Sequence, residues 1–137
     1  MKVSGGCHCG RISYEATVDP GAVGICHCSD CQNLSGSAFR VTVPARADTV
    51  VMRGEPKIYI KTADSGTKRA HAFCPDCGTP LFSEAEARPH LVFVRAGTFD
   101  DPNLASPAMT IWTSSAPHWA CIDAALPRVD RQPPPAA

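Results

Sequence analysis

The sequence lacks an excess of either charge: its 137 residues carry 13 basic and 13 acidic side chains. The basic ones stand singly, and the chain has no basic extension of the kind chromatin binding needs, so nucleic acid is not the expected partner. A long apolar run is also missing. No stretch approaches the roughly 20 apolar residues of a membrane-spanning helix, and the start, Met1-Lys2-Val3-Ser4-Gly5-Gly6-Cys7, has no apolar segment of the signal-peptide kind. No membrane is expected as a partner, and the protein is expected to be cytoplasmic. Helical periodicity is the third absence, since no window holds a helical pattern long enough to compete with strands.

What is present is a chain of one-domain length, long enough to bury a core, so any metal would supplement folding. Thirteen prolines and ten glycines fall mostly between short runs of β character. Arg11 to Val18 and Lys57 to Lys61 alternate apolar and polar side chains, as strands with one buried face do. Further strands are expected at Phe39 to Val43, Thr49 to Met52, Lys68 to Phe73, His90 to Ala96 and Met109 to Trp112, with short helices at Cys28 to Leu34 and Ala120 to Leu126. The predicted fold class is mainly β and mainly antiparallel, in one domain over residues 1–127. Residues 128–137, with Pro133, Pro134 and Pro135, form an end expected to be extended or disordered.

Eight cysteines dominate the chemistry. Their clustering at Cys-x-Cys and Cys-x-x-Cys spacing, in a reducing compartment, favours metal or redox chemistry over disulfides. Cys7-His8-Cys9 puts two sulfurs on one side of an extended chain, where both reach one metal. Its natural partner is Cys74-Pro75-Asp76-Cys77-Gly78, a turn whose sulfurs converge, with Gly78 free to take a left-handed backbone. Together they make four thiolates, the closed set of a structural zinc.

In Cys26-His27-Cys28-Ser29-Asp30-Cys31 the two spacings share Cys28. On a strand end followed by a turn, three sulfurs face one point and leave a coordination position open, which is the character of a catalytic zinc site. A competing partition joins Cys28 and Cys31 to Cys74 and Cys77 as a zinc ribbon, but it strands Cys7, Cys9 and Cys26. A dithiol redox role for Cys28 and Cys31 is weaker, because no thioredoxin-like alternation of strand and helix flanks them.

Cys121 is left over and reads as a small apolar residue. None of the five histidines is taken as a ligand: His8 and His27 alternate with cysteines, and His71 either lines a pocket or sits on a strand face. Ser35-Gly36-Ser37 is a turn of small residues that could also offer backbone N–H groups to an anion. Arg40, Arg53, Arg69 and Arg95 could meet substrate carboxylates. Trp112 and Trp119 are expected in the core or a pocket wall.

These segments resemble a known family. Gly6-Cys7-His8-Cys9-Gly10, then Cys26-His27-Cys28-Ser29-Asp30-Cys31 with Ser35-Gly36-Ser37-Ala38-Phe39, then Phe73-Cys74-Pro75-Asp76-Cys77-Gly78-Thr79-Pro80-Leu81 are similar to the glutathione-dependent formaldehyde-activating enzyme and centromere protein V family. Gly97 to Pro102 and Ile111 to Pro117 look like it too, and the order of the three cysteine clusters makes the likeness specific. It implies a β-tent of small sheets around a structural zinc held by Cys7, Cys9, Cys74 and Cys77, with a second, catalytic zinc on Cys26, Cys28 and Cys31. It also implies a carbon-sulfur lyase that joins glutathione, or another small thiol, to formaldehyde or a related aldehyde to give S-hydroxymethylglutathione or its analogue. The alternatives are a non-enzymatic zinc-binding module for a macromolecular partner and a metal or redox buffer, the last disfavoured because most of the chain has the pattern of an ordered sheet.

Overall fold

Short runs of β character divided by turn residues give ten short strands and one α-helix in the computed structural model, which describes residues 1–133. In chain order they are β1 (Lys2–Gly6), β2 (Ser13–Thr17), β3 (Gly24–Cys26), helix α1 (Ser29–Ser35), β4 (Arg40–Arg46), β5 (Val51–Arg53), β6 (Lys57–Thr62), β7 (Lys68–Phe73), β8 (Pro80–Ala85), β9 (Leu91–Arg95) and β10 (Met109–Ile111). The strands form a three-stranded sheet, β1-β2-β5, and a seven-stranded sheet, β10-β3-β4-β9-β8-β7-β6. All pairs are antiparallel except β10 with β3. The mainly β, mainly antiparallel architecture is thus the one expected.

The core lies between the two sheets. Val3, Tyr14 and Ala16 of the smaller sheet bury against Val43, Ala45, Val92 and Val94 of the larger one. The opposed pairs Val43↔Val94 and Ala45↔Val92 show that β4 and β9 turn the same face inward. Each fully buried valine is worth roughly 1.5–3 kcal/mol, so these positions carry much of the fold. Cys7 and Cys74 belong to the same core cluster. Gly5 has to be glycine: a Cβ there would collide with the Thr98 carbonyl and the Tyr14 phenol, whose hydroxyl lies 2.6 Å from Thr98 Oγ1.

Several expectations change. Cys7 and Cys9 sit not on a strand but in the turn after β1, closed by the Gly10 N–H donating to the Cys7 carbonyl at 3.1 Å. The β6 strand alternates as expected yet buries neither face well: Ile58, Tyr59 and Ile60 are all exposed, because β6 is the outer strand of its sheet. Ala120 to Leu126 forms turns rather than a helix. The strands β1 and β8 lie outside those expected from the sequence, whereas β3 ends at Cys26, where a strand end was expected. The start of the Pro-rich end is extended alongside β10, with the Val129 N–H donating to the Thr110 carbonyl at 2.9 Å. Pro134 and Pro135, also read as part of that end, lie outside the described residues.

Candidate functional site

The sequence brings its cysteines together in two groups. Cys7, Cys9, Cys74 and Cys77 converge with all four sulfurs within 4.8 Å of one another. Cys7 Sγ lies 3.6 Å from Cys9 Sγ, which lies 3.8 Å from Cys74 Sγ. Tetrahedral zinc, with Zn–S near 2.3 Å, would set its sulfurs about 3.8 Å apart, so this quartet fits the ion. The backbone enforces the geometry. The Ile12 N–H donates to Cys7 Sγ at 3.2 Å, and the Cys74–Gly78 turn closes through the Gly78 N–H on the Cys74 carbonyl at 2.9 Å, with Gly78 at φ 78°. The Thr79 hydroxyl, 3.2 Å from Cys77 Sγ, heads the hydrogen bonds that hold Cys77 down to a pKa of about 5.

Cys26, Cys28 and Cys31 form the second group, again within 4.8 Å. Cys26 ends β3, Cys28 caps α1 and Cys31 follows in its first turn. The Cys31 N–H donates to Cys28 Sγ at 3.3 Å, and the Cys28 N–H to Cys26 Sγ at 3.5 Å. Three sulfurs this close cannot all ionise alone. Hydrogen bonds from Cys26 and then Cys31 draw Cys28 down to about 2, while Cys26, donating to Cys28, is pushed far up and Cys31 rises as well. Without a cation the cluster thus favours a thiolate at Cys28 over one at Cys26 or Cys31; a divalent cation would displace the remaining thiol protons, and the donor set suits zinc. All eight cysteines are free thiols. Cys121 is exposed and belongs to neither group.

The residues around the trio sort differently from the expectations. His27 is 1 % exposed, its Nδ1 is 2.9 Å from the Ala38 carbonyl, and its ring packs on Phe39. His8 is exposed. Ser35-Gly36-Ser37 closes the helix: Gly36 takes φ 69° and the Ser35 hydroxyl donates to the Phe39 carbonyl at 3.1 Å. Arg53 lies on β5 in the other sheet, away from the trio's strands. Trp119 is 71 % exposed and so lines neither core nor pocket. Trp112 takes a left-handed backbone, φ 58°, at the start of a turn that Gln32 ties to α1 by donating to both the His27 carbonyl (2.7 Å) and the Ser115 carbonyl (2.9 Å). Nothing in the sequence pointed to Gln32.

A cleft of ≈ 350 Å³ is walled by Leu34 of α1 and by Phe73, Pro80 and Phe82, and is reached by His71, Arg95 and Arg40, the last paired across the sheet with Cys26. His71 is 8 % exposed, stacks on Tyr59 at 6.1 Å, and has its Nδ1 3.4 Å from Arg95 Nη2. Burial first, then the charges of Arg40, Arg95 and Arg69, push its pKa down from 6.5 to about 4. The folded chain thus resists the proton that the unfolded chain accepts. The contribution of His71 is complete above about pH 6.5 and is lost as pH falls towards 4. Urea titrations at pH 7 and pH 5 should show wild type losing about 1–2 kcal/mol more than His71→Asn. Equal losses would remove the linkage, since metal-linked losses are common to both proteins.

The fold and its clusters define a small, mainly β protein with a closed quartet and an open trio of cysteines, each able to hold a metal ion. The chain belongs to the glutathione-dependent formaldehyde-activating enzyme (GFA) family, whose profile matches residues 2–115. A solved structure of a Rhodobacter sphaeroides protein from a structural-genomics programme has a similar fold, with a TM-score of 0.59 and 23% identity over 76% of this chain and 96% of that one. No curated protein matches the sequence. Among the described residues no helix is long and apolar enough to cross a membrane.

Proposed function

We propose that this protein is a zinc-dependent carbon-sulfur lyase resembling S-hydroxymethylglutathione synthase. It joins a small thiol to an aldehyde and releases them again, with glutathione and formaldehyde as the pair named by the family. The new bond runs from the thiol sulfur to the carbonyl carbon, the carbonyl π pair moves to oxygen, and the proton lost by the thiol ends on the new hydroxyl. Cys7, Cys9, Cys74 and Cys77 hold the structural zinc, and Cys26, Cys28 and Cys31 hold the catalytic one. Bound there, zinc supplies a Lewis-acidic position that keeps a substrate thiol ionised near neutral pH, where a free thiol of pKa about 8.5 is mostly protonated.

The observation that carries this reading is the size of the second group: no fourth His, Cys, Asp or Glu ligand atom joins its three sulfurs among the described residues. A site built only for structure is filled by protein. The chain's own residues do the rest. The apolar wall of the cleft at Leu34 and Phe82 limits water, and the guanidinium groups offset the thiolate charge. His27 is sealed in, so the hydroxyl proton comes through Asp30, which is paired with Lys61 at the start of α1, or from bulk water.

The test is NMR exchange spectroscopy on mixtures of glutathione and formaldehyde with protein carrying two zinc ions per chain. Exchange between adduct and free thiol should run faster than the spontaneous background. If it never exceeds background with glutathione or any other small thiol, the lyase reading fails. The non-enzymatic zinc-binding module then replaces it, with pulldown as its assay.

A further inference from the structure

The cleft between α1 and the seven-stranded sheet presents an almost wholly apolar surface. Its place follows from the pairing registers. Cys26 of β3 stands opposite Arg40 of β4, Thr42 opposite Arg95 of β9, Phe93 opposite Ser83 of β8, Ser83 opposite His71 of β7, and His71 opposite Tyr59 of β6. Because strand side chains alternate, Tyr59 and His71 share the face that carries Cys26. The ion pair of Asp30 with Lys61 ties the start of α1 to β6, so the helix lies over this face. Leu34, one helical turn beyond Cys31, then forms the opposite wall.

The polar atoms nearest the cleft are turned away from a ligand. His71 Nδ1 faces Arg95 Nη2 at 3.4 Å, both residues are buried, and the Nε atoms of Arg40 and Arg95 are buried too. Arg69 and Arg88 lie against the Phe93 ring, and none of these three lines the cleft. A charged or amide-bearing group seated there would lose its water and find few partners in return. What stays uncovered is apolar. Tyr59 is 51 % exposed, with its ring stacked on the His71 imidazole, and Leu34, Phe73 and Phe82 are half-buried. Such a surface gains from an apolar group that displaces the water over it. The cleft also has the room: a cavity of about 150 Å³ with leucine and phenylalanine walls holds a benzene ring, and this one measures ≈ 350 Å³.

We infer that this cleft binds the apolar substituent of the carbonyl substrate, so the aldehyde joined at the three-cysteine centre carries an alkyl chain or an aromatic ring, with Tyr59 and Leu34 as the walls that select it. The inference rests on the lyase reading above and names the aldehyde class for it. Formaldehyde has no substituent and leaves the cleft empty. A small thiol of the glutathione kind is a poorer occupant, because the amide groups on either side of its CH₂–SH would enter these walls unpaired. The bonds made and broken are unchanged: the thiol sulfur adds to the carbonyl carbon, the π pair moves to oxygen, and the thiol proton ends on the new hydroxyl. The selection is one of binding and can be read without turnover.

The experiment uses zinc-loaded full-length protein and two readouts. In the first, NMR titration measures binding of two unreactive alcohols, 1-butanol and 1-hexanol, in which a carbinol replaces the aldehyde. A fully buried CH₂ is worth about fourfold in affinity, so two more in a half-open cleft should give at least about fivefold. In Tyr59→Ala and Leu34→Asn the hexanol preference should fall below about twofold. Tyr59→Phe should keep it, and so should Ile60→Ser, whose side chain lies on the other face of β6. Zinc content and melting temperature accompany each variant, and because Tyr59 is exposed, its variants remain informative if Leu34→Asn does not fold. In the second readout, NMR exchange with glutathione and hexanal should exceed its own spontaneous background by at least about fivefold more than exchange with glutathione and formaldehyde exceeds its own. The inference is overturned if chain length has no effect on binding, or if Ile60→Ser rather than Tyr59→Ala removes the effect. It is also overturned if the gain in exchange appears with 1-hexanethiol and formaldehyde and not with glutathione and hexanal, since the thiol then fills the cleft. Exchange with formaldehyde alone would keep the lyase reading and overturn this one, whereas chain-length-dependent binding with no exchange by any pair would support the apolar site and remove the lyase reading.

Discussion

Replacing Cys74 by serine is expected to cost the protein one of the two zinc ions proposed for it and a large share of its stability. Cys74 is fully buried, lies in the hydrophobic core with Cys7, and closes its own turn by backbone hydrogen bonds to Thr79 and Gly78. A structural zinc contributes about 10 kcal/mol or more in small domains that depend on it. Here the core of valines carries part of that load, so the loss should be smaller, yet at about 5 kcal/mol it is a third or more of an ordinary domain's margin of roughly 5–15 kcal/mol. Cys7→Ser should behave alike, while Cys121→Ser, exposed and outside both groups, should stay within about 0.5 kcal/mol of wild type. Thermal melts and zinc counts decide the matter. A Cys74→Ser protein that melts with wild type at unchanged metal content would refute the structural role.

How much of this was visible beforehand follows from the range over which each feature is specified. The two sulfur groups were legible because spacing within a cluster is local, and the number of cysteines leaves few ways to combine the clusters. Even so, the local reason for one pair was off: Cys7 and Cys9 approach through a turn rather than along a strand. Helix α1 was legible for a related reason, since Cys28 is its cap and Gly36 ends it with a left-handed residue. The second short helix gives way to turns because the Asp123 side chain takes the Ala125 N–H at 2.8 Å in a local turn, and Cys121, Asp123, Ala124 and Ala125 are exposed, leaving a helix there no buried face.

Strand β6 shows the limit of alternation as a signal. Ile58 and Ile60 alternate with polar neighbours as they would in a half-buried strand, but whether a face is covered depends on what lies across it, and β6 stands at the sheet's edge. The same limit hid the cleft. Arg40 and Arg95 are 55 positions apart in number, and only the register of β4 on β9, with Thr42 opposite Arg95, brings them to one side. Of the four arginines that could have met a carboxylate, the sequence had no means to set Arg53 apart, because that separation comes from the division into two sheets.

Cys28→Ser is expected to abolish activity while leaving the fold nearly intact. Cys28 sits in both spacings of the trio and is the sulfur on which its negative charge concentrates, because Cys26 and then Cys31 donate to it. Serine removes the thiolate but remains a good helix cap. Its Oγ can accept the Cys31 N–H that Cys28 Sγ accepts now, so the usual penalty of about 1 kcal/mol for losing a cap should be largely avoided. The variant should therefore hold about one zinc per chain, in the quartet, melt within about 1 kcal/mol of wild type, and show exchange of the thiol-aldehyde adduct at the background rate. This contrasts with Cys74→Ser, where loss of one zinc takes a large share of the stability with it. The same stoichiometry with opposite effects on stability is what separates an open, substrate-facing centre from a closed one. A Cys28→Ser protein that retains both zinc ions and full exchange activity, or one that loses stability as Cys74→Ser does, would overturn the division of roles between the two groups.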